Sequence, residues 1–251
     1  MRGLAALTVV FAHLHVVLPD ALRAALQIEG GPLDFLATGR AAVIVFFVLS
    51  GFVLTLSLSG RNPPGYGAFV VRRICRIYLP FAAVILLTAA LVPVIRPGPL
   101  PELGSWLAER AWNLPLTHAL VLNHLLMIGR WEDKVLDPPI WSLVIEMRIS
   151  LVFPLLLWVV TRQRRLPLVA AVLTLLAVEL LGHSPLLPLE PYNNATLWQV
   201  PLFTFYFVAF FVLGILLARE RHTLLAWTRS RSATTRASLL VLAVGLLLLH
   251  R

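Results

Sequence analysis

The sequence predicts an all-α, polytopic transmembrane helical bundle of about seven spanning helices plus one re-entrant or interfacial segment. Three observations carry that fold class. Of 251 residues, 59% are hydrophobic and only 13% charged, with a mean hydropathy of +0.86, whereas soluble domains carry about 25% charged residues. The apolar residues gather into seven runs close to the ~20 residues that a bilayer-crossing helix needs. The charges stand mostly between those runs. A net charge of +9 in a soluble chain would suggest a nucleic-acid partner. Distributed in this way it is a topology signal, so no nucleic acid is expected and the lipid bilayer is the expected surrounding.

The runs cover roughly residues 3–19, 41–58, 78–95, 141–160, 166–182, 200–218 and 237–250. An eighth, weaker run at 114–128 is interrupted by His118, Asn123 and His124, so hydropathy alone lets it span, re-enter or lie at the interface. Charge placement decides. If that run does not cross, the segments 61–76, 162–165 and 219–236 share one side and hold twelve arginines against the single acid Glu220. The opposite loops hold six basic residues and nine acids. By the positive-inside rule the arginine-rich side is cytoplasmic, and Arg2 places the N-terminus there, in a multi-pass protein of the cell (inner) membrane. The first run follows a single charge and has no small-residue cleavage pattern, so it reads as a retained helix rather than a signal peptide. Pro63-Pro64-Gly65 and Pro97-Gly98-Pro99 mark loops too short to join folded units, which leaves residues 1–251 as one domain. The single cysteine, Cys75, excludes an internal disulfide and any cysteine-based metal cluster. No metal and no permanently bound cofactor is expected.

The chemistry must then lie in polar groups inside apolar runs, where an ionisable side chain is costly. His13 and His15 in the first run, Ser50 in the second, Glu146 with Arg148 in the fourth and Glu179 in the fifth qualify. Arg2 and His13 are eleven residues apart, which at about 100° per residue puts them on one helix face with His13 about 16 Å deeper. A neutral imidazole there suits removal of a proton from a hydroxyl. The alternative is a packed histidine bonded to a backbone carbonyl, with Arg2 as a simple anchor. Arg72, Arg73 and Arg76 have i, i+3 and i, i+4 spacing and would project together from a helix opening the third run. Their guanidinium forks suit phosphate, although a topology signal or a contact with anionic lipid would use the same residues. In Pro138-Pro139-Ile140-Trp141-Ser142-Leu143-Val144-Ile145-Glu146, Trp141 can anchor at the interface and Glu146 lies one and a half turns deeper. That carboxylate needs a partner such as His13 or Arg148, and an internal Glu–Arg pair holding two helices is the competing reading.

Taken together these residues resemble the membrane-bound acyltransferase family 3. Arg2-Gly3-Leu4-Ala5-Ala6-Leu7, running on to His13, looks like the family's opening Arg-x10-His motif. Phe46-Phe47-Val48-Leu49-Ser50-Gly51-Phe52 is similar to its second-helix signature. Arg73-Ile74-Cys75-Arg76 matches its Arg-x-x-Arg, followed by Tyr78-Leu79-Pro80. Trp141-Ser142-Leu143 with Glu146 resembles a later Trp-Ser-Leu-x-x-Glu element, and Phe211-Val212-Leu213-Gly214 matches a late helix more weakly. Members usually carry more membrane helices than these seven, so the resemblance implies a shortened or fragmentary member lacking the last helices.

The resemblance implies an O-acyltransferase, of the class transferring groups other than aminoacyl groups. The donor would be a cytoplasmic acyl-coenzyme A, a co-substrate, and the acyl group is often acetyl. The acceptor would be a hydroxyl of a cell-surface carbohydrate or another glycosylated molecule. Arg2, Arg73 and Arg76 would dock the donor phosphates. His13 would be the general base, or the group that first receives the acyl chain, with Glu146 orienting or charging it. Ser50 and Gly51, where helices can approach closely, would line the acyl or acceptor channel, and Trp141 with Ser142 would complete the substrate site. A small proton-coupled transporter or flippase would also bury His, Glu and Arg in a bundle. A phosphate-bearing donor additionally explains the arginine cluster.

Overall fold

A computed structural model of the chain describes residues 2–26, 39–95, 115–127, 136, 141–163, 165–182 and 199–249. Among them the regular elements are helices. In order they are α1 (Arg2–Val17), α2 (Asp20–Ala25), α3 (Gly39–Leu58), α4 (Tyr66–Arg73), a π turn (Ile74–Tyr78), α5 (Leu79–Ile95) and α6 (His118–Leu125). Then come α7 (Trp141–Arg162), α8 (Arg165–Gly182), α9 (Gln199–Arg219), α10 (Arg221–Arg229) and α11 (Ala233–Leu249). Pro97-Gly98-Pro99, Pro138-Pro139, Glu190 and the side chains of Arg2 and Glu179 lie outside the described residues.

Three stretches among the described residues are long and apolar enough to cross a bilayer: Ala41–Leu58, Tyr66–Ile95 and Trp141–Arg162. Ala5–Val17, Thr204–Arg219 and Ala233–Leu242 are shorter apolar helices. This is the make-up of an all-helical membrane protein; seven crossings stay the expectation from sequence. The second stretch departs from that expectation. The sequence places the start of the span near residue 78, but the helix runs unbroken from Tyr66 for 30 residues, about 45 Å and close to the whole bilayer with its headgroups. Arg72, Arg73 and Arg76 lower the local hydropathy and mask a helix whose Phe69, Ile77 and Phe81 are buried.

Among the described residues of the weak run at 114–128, the helix is the eight-residue α6, about 12 Å and too short to cross. Thr117 caps it, its side chain accepting from the backbone N–H of Leu120 at 3.1 Å. Met127, at φ 51° in the left-handed region, turns the chain away two residues after the helix ends. The neighbouring elements are antiparallel. Tyr66 donates to the Leu151 carbonyl at 3.2 Å, while Pro80, Phe81 and Val84 line one cavity with Leu143 and Glu146. A single crossing by α6 would instead make α5 and α7 parallel.

The bundle closes around α3, which packs against α1, α7 and α9. Two glycines set the α3–α9 distance. A Cβ on Gly51 would lie 2.9 Å from the Phe211 Cα, and one on Gly214 would lie 2.7 Å from the Phe52 backbone nitrogen. Each helix therefore meets the other's backbone directly, the small-residue packing available to membrane helices. Around the crossing, Phe47 packs against Phe207 and Phe211 with ring centroids 4.8 and 5.7 Å apart. Phe153 of α7 joins them at 6.1 Å from Phe211. At the helix ends, Arg219 of α9 donates to the Val160 carbonyl of α7 at 3.2 Å, a cation placed where the helix dipole is negative.

Candidate active site

Phe47, Ser50 and Leu54 recur at three- and four-residue spacing on the buried face of α3, so Ser50 is carried into the bundle by its apolar neighbours. Its short side chain lets α7 come close. There the Ser50 hydroxyl donates to Glu146 Oε1 at 2.8 Å. The pair opens onto a cavity of about 310 Å³, completed by Arg76 and walled by Phe46, Ile77, Pro80, Phe81, Val84 and Leu143. Ser50, Glu146 and Arg76 thus line one otherwise apolar space, Arg76 being itself exposed.

The π turn determines which arginine reaches that space. Its i→i+5 hydrogen bonding widens the helix by about one residue per turn, an irregularity often found at functional sites. Equal α-helical spacing would make Arg72, Arg73 and Arg76 project together. Instead, of the three, Arg76 lines the cavity, although like Arg72 it is exposed, and Arg73 is half-buried with its guanidinium 5.7 Å from the Phe69 ring centre.

Glu146 meets neither of the partners expected of it. Residues two apart on a helix point about 200° apart, so Arg148 turns from Glu146 and donates to the Met127 carbonyl at 3.1 Å. His13 is held on α1, where its Nδ1 donates to the Val9 carbonyl at 2.8 Å. That bond selects the tautomer whose Nε2 accepts. The neighbouring Ala12 meets Gly39, with 3.0 Å from the Ala12 Cβ to a Cβ built on the glycine, so His13 is level with the start of α3. Ser50 lies eleven residues along that helix, about 16 Å away. His15 is buried at 8% exposure.

The other expected site residues divide. Gly51 makes the α3–α9 crossing and Ser50 lines the cavity, although they adjoin in sequence. The half-buried Trp141 packs against Phe207, ring centroids 5.6 Å apart, on the α9 side of α7. Ser142 is half-buried beside Leu143, which walls the cavity. Sequence reasoning missed the Ser50–Glu146 pair, since 96 residues separate its members. It also passed over His124, fully buried with Nδ1 on the Leu120 carbonyl at 2.8 Å; its only signal was a polar residue interrupting an apolar run.

A family model for acyltransferase family 3, described as an acyltransferase domain, matches residues 1–251, the whole chain. The chain belongs to that family. No curated protein and no solved structure matches it. This acyltransferase is therefore a membrane enzyme of acyl transfer, and its apolar helices are the membrane part of that description.

Proposed function

We propose that this acyltransferase moves an acyl group, acetyl in the simplest case, from cytoplasmic acyl-coenzyme A to a hydroxyl of a cell-surface carbohydrate or other glycosylated acceptor. The observation that carries this reading is the cavity that Ser50, hydrogen-bonded to Glu146, lines together with Arg76. Acyl transfer needs a cation for the developing oxyanion and a base for the hydroxyl proton. Arg2, Arg73 and Arg76 belong to the donor side, where guanidinium groups suit the coenzyme A phosphates. His13 is the base for the acceptor hydroxyl, its Nε2 made the accepting nitrogen by the Nδ1 bond to Val9. The arginine-rich ends face the cytoplasm, N-terminus included, in the inner membrane.

A proton-coupled transporter would use buried His and Glu but has no need of an arginine in the same cavity, and the family match favours transfer. The test measures binding of labelled acetyl-coenzyme A to the purified full chain, and label transfer to cell-envelope material in membranes. Saturable binding with transfer is expected. A folded protein that neither binds the donor nor transfers label overturns the reading.

A further inference from the structure

We propose that the cavity beside Ser50 and Glu146 is a pocket for the hydrocarbon tail of the donor, and that the enzyme prefers acyl groups of about four to eight carbons over acetyl. This rests on the acyl-coenzyme A reading above and specifies which acyl group the donor carries.

Helix direction separates the polar lining of the cavity from the apolar lining. α3, α7 and α9 run parallel. Phe47 and Trp141 both pack on Phe207, Gly51 and Phe153 both lie against Phe211, and Val160 meets Arg219. α5 runs the other way. Phe46 and Leu143 precede Ser50 and Glu146 by four and three residues, while Val84 follows Arg76 by eight. On helices so oriented, Phe46 and Leu143 lie about 5–6 Å beyond the Ser50–Glu146 pair, and Val84 about 12 Å beyond Arg76, all in one direction. With the arginine-rich ends cytoplasmic, the polar end of the cavity faces the arriving donor and the apolar end lies deeper.

Size points the same way. A volume of about 310 Å³ corresponds to about ten groups the size of a water molecule. An acetyl group would leave most of that space unused. An extended chain advances about 1.2 Å per bond, so reaching Phe46 and Leu143 from the Ser50–Glu146 pair takes about four carbons. Once the thioester oxygen and sulfur occupy two of the ten places, about eight remain. The walls favour plain hydrocarbon, because a polar tail would lose hydrogen bonds against Phe46, Phe81 and Leu143. Pro80 and Val84 line the cavity yet are exposed, in one row along α5 with the exposed Leu87 and Leu91. A tail longer than the cavity therefore passes out beside Val84 toward lipid and gains nothing more from the protein.

The test measures kcat/KM for transfer to cell-envelope material by the purified full chain, with acyl-coenzyme A donors from acetyl to dodecanoyl held below micelle formation. The value should rise about fourfold per methylene, the usual gain for burying that group, as far as hexanoyl or octanoyl, and then level off. Val84→Trp, which fills the far end, should lower the octanoyl-to-acetyl ratio of kcat/KM tenfold or more. Phe46→Ala, which enlarges that end, should move the plateau to longer chains, and it decides alone if Val84→Trp is inactive. Leu87→Trp, in the exposed row but not lining the cavity, should leave the ratio as in the wild type. Each ratio is read within one variant, so loss of folded protein does not move it. Acetyl equal to or better than octanoyl in the wild type, or chain-length profiles unmoved in both cavity variants, overturns the pocket and leaves the acyl-coenzyme A reading standing. Failure of every donor to bind or transfer overturns that reading instead.

Discussion

Glu146 is an acid on an apolar helix, and a carboxylate withdrawn from water must recover hydrogen bonds to be tolerated. Ser50 supplies one. His13 carries the sharpest expectation at this scale. His13→Ala should lower acetyl transfer by about 10²- to 10⁴-fold, the usual loss for a general base. Donor binding, which depends on the arginines, should survive. His15 points about 200° from His13 and is buried, so His15→Ala should reduce folded protein more than it reduces turnover per folded molecule. The comparison is transfer normalised to folded protein. Equal turnover in His13→Ala and wild type would remove the base assignment. Arg73→Lys keeps the charge but gives up the planar fork and the stacking on Phe69. Coenzyme A affinity measured by equilibrium binding should drop about tenfold, equivalent to one charge-assisted hydrogen bond. Unchanged affinity with reduced abundance would make Arg73 an anchor.

Two elements depend on backbone geometry more than on side chains. The α3–α9 crossing exists because neither Gly51 nor Gly214 has a Cβ to hold the backbones apart. Gly51→Leu and Gly214→Leu should each destabilise the fold by at least about 1–3 kcal/mol, the cost of overpacking. Thermal unfolding in detergent should show it, and a transition unchanged in both would mean that the helices do not meet there. The π turn is the second. Removing one residue within it, for example the exposed Cys75, would restore α-helical pairing and change the angle at which Arg76 projects relative to Arg73. Membrane insertion should persist while donor binding and transfer fall, because Arg73 would no longer keep its relation to Arg76 and the cavity. A deletion variant with normal transfer would show that the turn has no part in the site.

For the whole molecule, the antiparallel run of α5 and α7 and the shortness of α6 agree with an arrangement in which the segments rich in arginine lie together. Arg61→Cys, Arg164→Cys and Arg229→Cys, each made in a Cys75→Ser background, should resist a membrane-impermeant thiol reagent applied to intact cells. Ready labelling at any one of them would require a different number of crossings between it and its neighbours. α10 follows the same logic. Its Leu224, Leu225 and Trp227 are exposed beside Arg221 and Arg229, the composition of a helix lying at a bilayer surface.

The class of this protein and the place of its long apolar helices were legible in the chain alone, because apolar run length is read by the bilayer one segment at a time. The sequence also presented His13, Ser50 and Glu146, since a polar side chain in an apolar run stands out without any knowledge of its neighbours, and Arg2, Arg73 and Arg76 by their spacing. Which of them meet was decided only by tertiary structure. Ser50 found Glu146 across 96 residues because α3 and α7 pack side by side. Helical periodicity speaks only for residues within a few turns of one another, so it offered Glu146 no partner on another helix. The same periodicity assumed α-helical spacing through Ile74–Tyr78, where one extra residue in the turn separates Arg73 from the cavity that Arg76 lines. Gly51 looked equivalent to Ser50 in the sequence. A rotation of about 100° per residue sends one to the α9 backbone and the other to the cavity, and only the packed bundle says which is which.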